Sequence, residues 1–210
     1  MASGRGSNAA AILRAIDRGD LHAQATTVIC NRNDVGVIDV AAQHGVPSHV
    51  VPRKDFNSRD AQQHRMLEVL RATQTDFVAL AGFSSILNPA IVSEYPSRIL
   101  NIHPSLLPAF GGGMAPQPQV EALKAGVKIS GCTIHLVTNA IDAGPIVAQA
   151  PVPVMTGDTV DSLSKRILEQ EHLIYPLVLQ WFADERTHIS DRQVYVDSEE
   201  SQIIWPNSAR

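Results

Sequence analysis

The sequence predicts an α/β fold: a mostly parallel central sheet with helices on both faces. Three observations predict it. Short β-rich runs alternate with helix-length stretches. Those runs are mostly apolar along their whole length, as strands covered on both faces are. A glycine-bearing loop, Ser3–Asn8, opens the first helix, as loops at strand ends do in such sheets.

The strands expected in the first part of the chain are Ala25–Asn31, Ser48–Pro52, Phe77–Gly82 and Ile99–His103. The helices expected around them are Ala9–Arg18, Val35–His44, Arg59–Thr73 and Pro89–Tyr95. The third helix is the clearest, with Met66, Leu67 and Leu70 near helical spacing and Ser58 placed to cap its first turn. In such folds a strand feeds a loop like Ser3–Asn8, and only Met1 and Ala2 stand before it here, so the first strand is expected to be missing. After Pro108 comes a Gly/Pro-rich loop, Ala109–Pro118, in which regular structure is not expected. Ile129–Val137 and Ile146–Val154 read as two longer strands, the first with Thr133 and His135 on a polar face. Thr159–Phe182 is the longest helical pattern, with Asp158 as its cap and a kink or break expected at Pro176. Residues 184–210 read as a polar surface tail behind one domain, 1–183.

Composition narrows the function classes. At 210 residues the chain suits one domain of the usual size with a modest extension. Its 44% hydrophobic and 18% charged content supports a packed core and excludes wholesale disorder. A net charge of −4 supplies no basic field for nucleic acid or an anionic membrane. No apolar run approaches the roughly 20 residues of a membrane helix, and MASGRGSN carries no apolar signal core. The expectation is a soluble, cytoplasmic protein. Cys30 and Cys132 read as reduced, packed thiols. The eight histidines show no metal-ligand spacing, so no metal site is expected.

Ser3-Gly4-Arg5-Gly6-Ser7-Asn8 is a candidate phosphate cradle, because glycines admit close approach of an anion and a helix start presents N–H groups and a positive dipole end. Capping of the helix by Ser7 or Asn8 is the plainer alternative. Asn101-Ile102-His103-Pro104 says more. Asn101 and His103 share one strand face, and Pro104 ends the ladder, so the pair sits at the strand's carboxyl end, where open α/β sheets bind ligands. An amide donor beside an imidazole suits a developing oxyanion and a proton in transit. Asp142, in Asp142-Ala143-Gly144-Pro145, either orients His103 or simply makes a turn. His135 reads equally as a ligand-side group or a hydrogen-bonded core histidine, and Glu171 and His172 as a solvated helix face.

Taken together, SGRGSN (3–8), NSRDA (57–61), LAGFSSIL (80–87), NIHPSLLP (101–108), GCTIHLV (131–137), IDAGPIVAQ (141–149) and QEHLIYP (170–176) resemble the phosphoribosylglycinamide formyltransferases. These are folate-dependent enzymes of purine synthesis with a Rossmann-like formyltransferase fold. The resemblance runs from Ser3 to Ala183. It implies a phosphate-binding half, 1–100, and a folate-binding catalytic half, 101–183. It also implies formyl transfer from 10-formyltetrahydrofolate, as co-substrate, to the amine of phosphoribosylglycinamide. Asn101, His103 and Asp142 match the family's catalytic trio. Gly6, Ser7 and Asn8 match its phosphate contacts, and Glu169, Gln170 and Glu171 the stretch facing the ribose side of that substrate. Arg59, Ser84, Ser85, Ile86, Leu87, Asn101 and Thr138, Asn139, Ala140, Ile141, Asp142 match its folate-binding positions. The implied partners are these small molecules, with neither nucleic acid nor membrane, and homodimerisation is left open.

The chain departs from the family pattern at three places: the missing first strand, the lack of histidine in Phe110–Val120, and Ser84-Ser85 where bulkier residues are usual. Alternatives are a 10-formyltetrahydrofolate hydrolase without its regulatory domain, or a non-catalytic folate- or nucleotide-binding relative. Methionyl-tRNA formyltransferase would require a further nucleic-acid-binding domain.

Overall fold

The computed structural model describes residues 1–197 and 201–205. The chain divides into two compact units, Met1–Asn101 and Ile102–Arg210.

The first unit contains α1 (Ser7–Arg18), β1 (Val28–Cys30), α2 (Val37–Gln43), β2 (Ser48–Val50), α3 (Arg59–Ala72), β3 (Val78–Leu80), α4 (Pro89–Glu94) and the start of β4 (Ile99–His103). Both strand pairs are parallel: Ile29 lies opposite His49 in β1–β2, and Ala79 opposite Leu100 in β3–β4. The predicted α/β class with a mostly parallel sheet is therefore what these residues adopt. Ile29, Cys30, Val37, Ala41, Met66, Ile91, Ile99 and Leu100 form the core. Ser58 caps α3 as expected, accepting from the Ala61 N–H at 3.0 Å.

The expectation of a missing first strand needs correcting. No regular strand precedes α1 among the described residues, but Met1–Ser3 occupy its place. The Ala2 N–H donates to Ile29 O at 3.0 Å on one side, and on the other the Ala81 N–H donates to Met1 O at 2.9 Å and the Ser3 N–H to Gly82 O at 3.1 Å. Ala2 pairs in parallel with Cys30. Three residues hydrogen-bonded to both neighbours hold the start of α1 in register with β1 and β3. The Met1 amine donates to Ala79 O at 2.7 Å, and its burial pushes its pKa down to about 5.

In the second unit, α5 (Gln117–Ala125), β5 (Ile129–Leu136), β6 (Ile146–Pro153), α6 (Val160–Ala183), β7 (Thr187–Ser190) and β8 (Gln193–Val196) follow the end of β4. β5 and β6 are antiparallel, β8 joins β6 in parallel at Ile146↔Gln193, and β7–β8 is an antiparallel hairpin. α6 packs on β5 and β6 through Leu163, Ile167, Ile174, Tyr175, Val178 and Trp181.

Three local expectations in this unit are revised. α6 does not break at Pro176 but runs through it as one 24-residue helix, with Tyr175 and Val178 buried on either side. Its cap is Thr159, which accepts from the Ser162 N–H in a reciprocal capping box. Asp158 instead receives the Met155 N–H and a two-pronged Arg166 guanidinium at 2.8 and 2.9 Å, which hold its carboxyl below the usual range. The polar Thr133/His135 face of β5 is buried, the two residues being 0% and 3% exposed. Finally, α5 begins inside the stretch expected to be irregular, with proline tolerated in its first turn.

Candidate functional site

β4 carries His103 to its carboxyl end and stops there because Pro104 has no N–H for the ladder. The turn that follows is pinned from below by buried polar groups. The Thr133 hydroxyl donates to Ser105 O at 2.7 Å and accepts the Leu107 N–H at 3.0 Å. The Gln149 amide donates to both Leu107 O and Thr133 Oγ1, each at 3.0 Å. Ser105 Oγ donates to Ala109 O at 2.6 Å. Nothing in the spacing of Thr133 and Gln149 singles them out; facing strand positions become partners only once β5 and β6 pair, with Thr133 opposite Gln149.

His103, 3% exposed, turns its Nδ1 toward Asp142 Oδ2 at 3.4 Å. Asp142 sits in the β5–β6 connection with a left-handed backbone, φ 48°. Its place depends on Gly144: a Cβ there would lie 1.8 Å from Leu136 O, so no other residue fits that crossing. Asp142 therefore makes the turn and also faces His103. His135 Nε2 stands 3.7 Å from the other carboxylate oxygen, Oδ1, and its Nδ1–H donates to Leu136 O at 3.0 Å. Burial lowers the His135 pKa, against the opposing pull of the Leu136 carbonyl and of Asp142. The two alternatives for His135 merge: it is a bonded core histidine that also flanks the carboxylate.

Backbone groups complete this cluster. His103 Nε2 faces Phe110 O at 3.0 Å, and the Gly112 N–H donates to Asp142 Oδ2 at 2.8 Å. Both His103 nitrogens thus face oxygen atoms, Nδ1 that of Asp142 and Nε2 that of Phe110. Thr138, Asn139, Ala140 and Ile141 form the exposed connection leading to Asp142, tightened by reciprocal bonds between Thr138 and Ala140. On α6, Glu169 points outward while Glu171 is 7% exposed on the core face, with Gln170 between them, as consecutive helical positions require. Glu171 stands close enough to Cys132 to raise its thiol pKa beyond the larger effect of burial. Both cysteines are unpaired in disulfides and buried.

In the first unit, Gly6 starts α1 with φ 81°, and a Cβ there would come within 2.8 Å of Val37, so glycine is required. Gly6, Ser7 and Asn8 follow one another across this helix start, whose first-turn N–H groups point along the axis toward the loop. A second cluster surrounds Ser84–Leu87. Arg59 and Gln63 both donate to Ile86 O, and Gln63 Oε1 accepts the Asn88 N–H. Asn31 donates to Ser85 Oγ at 3.0 Å, and Ser3 Oγ accepts the Ser84 N–H at 2.7 Å. Gln63 and Asn31 were not legible as site residues; an amide in an apolar helix stripe is the only trace Gln63 leaves in the sequence. Ile86 is exposed and Leu87 buried. Among the described residues no group of three or more His, Cys, Asp or Glu side chains could hold a metal ion, and no helix is long and apolar enough to cross a membrane.

An imidazole thus faces a carboxylate at a strand's carboxyl end, two positions after an asparagine. The family model described as formyl transferase matches residues 1–179, and the chain belongs to that family. Its relatives of matching length are phosphoribosylglycinamide formyltransferases. The enzyme of that name from Escherichia coli K12 is 39% identical over 94% of this chain and 92% of its own. The crystal structure of glycinamide ribonucleotide transformylase 1 from Symbiobacterium toebii superposes with a TM-score of 0.89 at 42% identity, covering 93% of this chain and 91% of that one. A formyltetrahydrofolate deformylase from Pseudomonas syringae shares the fold, with a TM-score of 0.87, at only 28% identity; 93% of this chain matches 64% of that one.

Proposed function

We propose that this chain transfers a formyl group from 10-formyltetrahydrofolate to the amine of phosphoribosylglycinamide, yielding formylated ribonucleotide and tetrahydrofolate for purine synthesis. The observation that carries the reading is His103, buried at the end of β4 and facing Asp142, in a chain that matches transferases of this name over nearly its whole length.

In this reading the amine lone pair forms a bond to the formyl carbon, and the carbonyl π electrons move onto oxygen. Asn101 and the His103 Nε2–H donate to that oxyanion. Collapse of the intermediate breaks the bond to N10 of the folate, which leaves with a proton. The proton lost by the amine passes by way of Asp142, which also keeps His103 oriented. The formyl group arrives already activated on the folate, so the residues need only position groups and move protons. Gly6, Ser7 and Asn8 take the substrate phosphate at the start of α1, and Glu171, preceded by Glu169 and Gln170, its ribose side. Arg59, the Ser84–Leu87 loop and the Thr138–Asp142 connection take the folate.

The test is an initial-rate assay of deformylated folate release by the 210-residue chain, with and without phosphoribosylglycinamide. Release that saturates with the ribonucleotide supports transfer. Ribonucleotide-independent release would indicate a hydrolase, and folate binding without release a non-catalytic relative.

A further inference from the structure

The backbone of residues 110–113 occupies both hydrogen-bonding positions that the His103–Asp142 pair needs for chemistry. The Phe110 carbonyl sits 3.0 Å from His103 Nε2, the ring nitrogen that does not face Asp142 and so the one able to reach a reacting atom. The Gly112 N–H, at 2.8 Å, takes the same Asp142 Oδ2 that His103 Nδ1 faces at 3.4 Å. One short stretch therefore engages the acid with an acceptor and the carboxylate with a donor.

That stretch is built to move. Its upstream end is anchored, with Ala109 O bonded to Ser105 Oγ and the Ala109 N–H to Leu106 O. Its downstream end runs into α5, where the Gln117 N–H donates to Met114 O at 2.8 Å. Between these anchors lie Gly111, Gly112 and Gly113. Phe110 holds a left-handed backbone, φ 56°, that an aromatic residue adopts only under constraint. Gly112 is also left-handed, φ 83°, and a Cβ there would meet nothing within 4 Å.

We propose that residues 110–113 are an autoinhibitory plug: the Phe110 carbonyl stands in for the formyl oxygen at His103 Nε2, and the incoming formyl donor displaces it. The exchange swaps one oxygen acceptor for another at Nε2, so the imidazole stays hydrogen-bonded throughout. Release also frees Phe110 from its strained backbone and removes the Gly112 N–H from the Asp142 Oδ2 that faces His103. The identity of the displacing oxygen rests on the formyl-transfer reading; the masking of His103 does not.

The test is made without substrate. Diethyl pyrocarbonate acylates unprotonated imidazole nitrogens, and its rate at His103 is followed by peptide mass mapping in the native chain and in Gly112→Ala and Gly112→Pro. Alanine disfavours φ 83°, and proline forbids it and removes the N–H donor. The plug predicts at least fivefold faster labelling of His103 in Gly112→Ala and faster still in Gly112→Pro, with His22 and His64 on the first unit labelled at native rates. Circular dichroism identifies any variant that has not folded, and the other then decides. Native-rate labelling of His103 in a folded variant would overturn the plug. Because no folate is present, that outcome is separate from failure of formyl transfer.

Discussion

Asp142 stands between two imidazoles: His103 Nδ1 lies 3.4 Å from Oδ2 and His135 Nε2 3.7 Å from Oδ1. A single carboxylate on a glycine-dependent turn thus faces the histidine at the end of β4 while a second, buried histidine closes its other side. Asp142→Asn keeps the shape but removes the carboxylate that faces His103 Nδ1. Its turnover should fall by about 10²–10⁴ with the fold intact, measured as folate release in steady state.

Asn101→Ala tests the oxyanion role separately. Removing one donor of this kind lowers turnover by about 10²–10³. The loss should appear in kcat with little change in the KM for either substrate, because the interaction forms chiefly in the transition state.

Thr133→Val removes a buried hydroxyl while nearly preserving volume. It strands the Leu107 N–H, one Gln149 donor and Ser105 O, so a loss of about 1–3 kcal/mol in urea unfolding is expected. Because this network seats the turn after His103, turnover should fall as well.

Much of this architecture was legible beforehand, for physical reasons that differ by element. β4 announced itself because an apolar run meets Pro104, and α3 because Ser58 stands before a helical stripe. The α5 helix hid behind Gly111–Gly113 and two prolines, residues that signal loops although proline is harmless in a first helical turn. The β7–β8 hairpin hid because only Val194 of its residues is deeply buried, leaving no apolar pattern to read. In the site, Asn101 and His103 followed from strand period. The pairing of Asp142 with His103, and of His103 with Phe110 O, depends on how β5 and its connections fold back, which no local pattern records.

His135 supplies a pH prediction. Its pKa in the fold lies below the usual value near 6.5. As pH falls below that value the unfolded chain binds a proton at this position that the folded chain does not, so folding stability drops. Nuclear magnetic resonance titration should give His135 a midpoint below 6.5. His135→Gln should flatten the acid-side slope of stability between that midpoint and neutrality.

Gly6→Ala tests the loop at the start of α1. Its Cβ would collide with Val37 at a left-handed position. A loss of more than about 1 kcal/mol is expected, together with a raised KM for the ribonucleotide and an unchanged KM for the folate.

The central claim is that the formyl carbon ends on the ribonucleotide amine. The most direct measurement is the fate of a ¹³C-formyl label on the folate after incubation with this chain and phosphoribosylglycinamide, read by carbon magnetic resonance. The account predicts that the label appears as a formamide carbon on the ribonucleotide, and that the signal is lost with His103→Asn. Label recovered as free formate, or left on the folate, would contradict it.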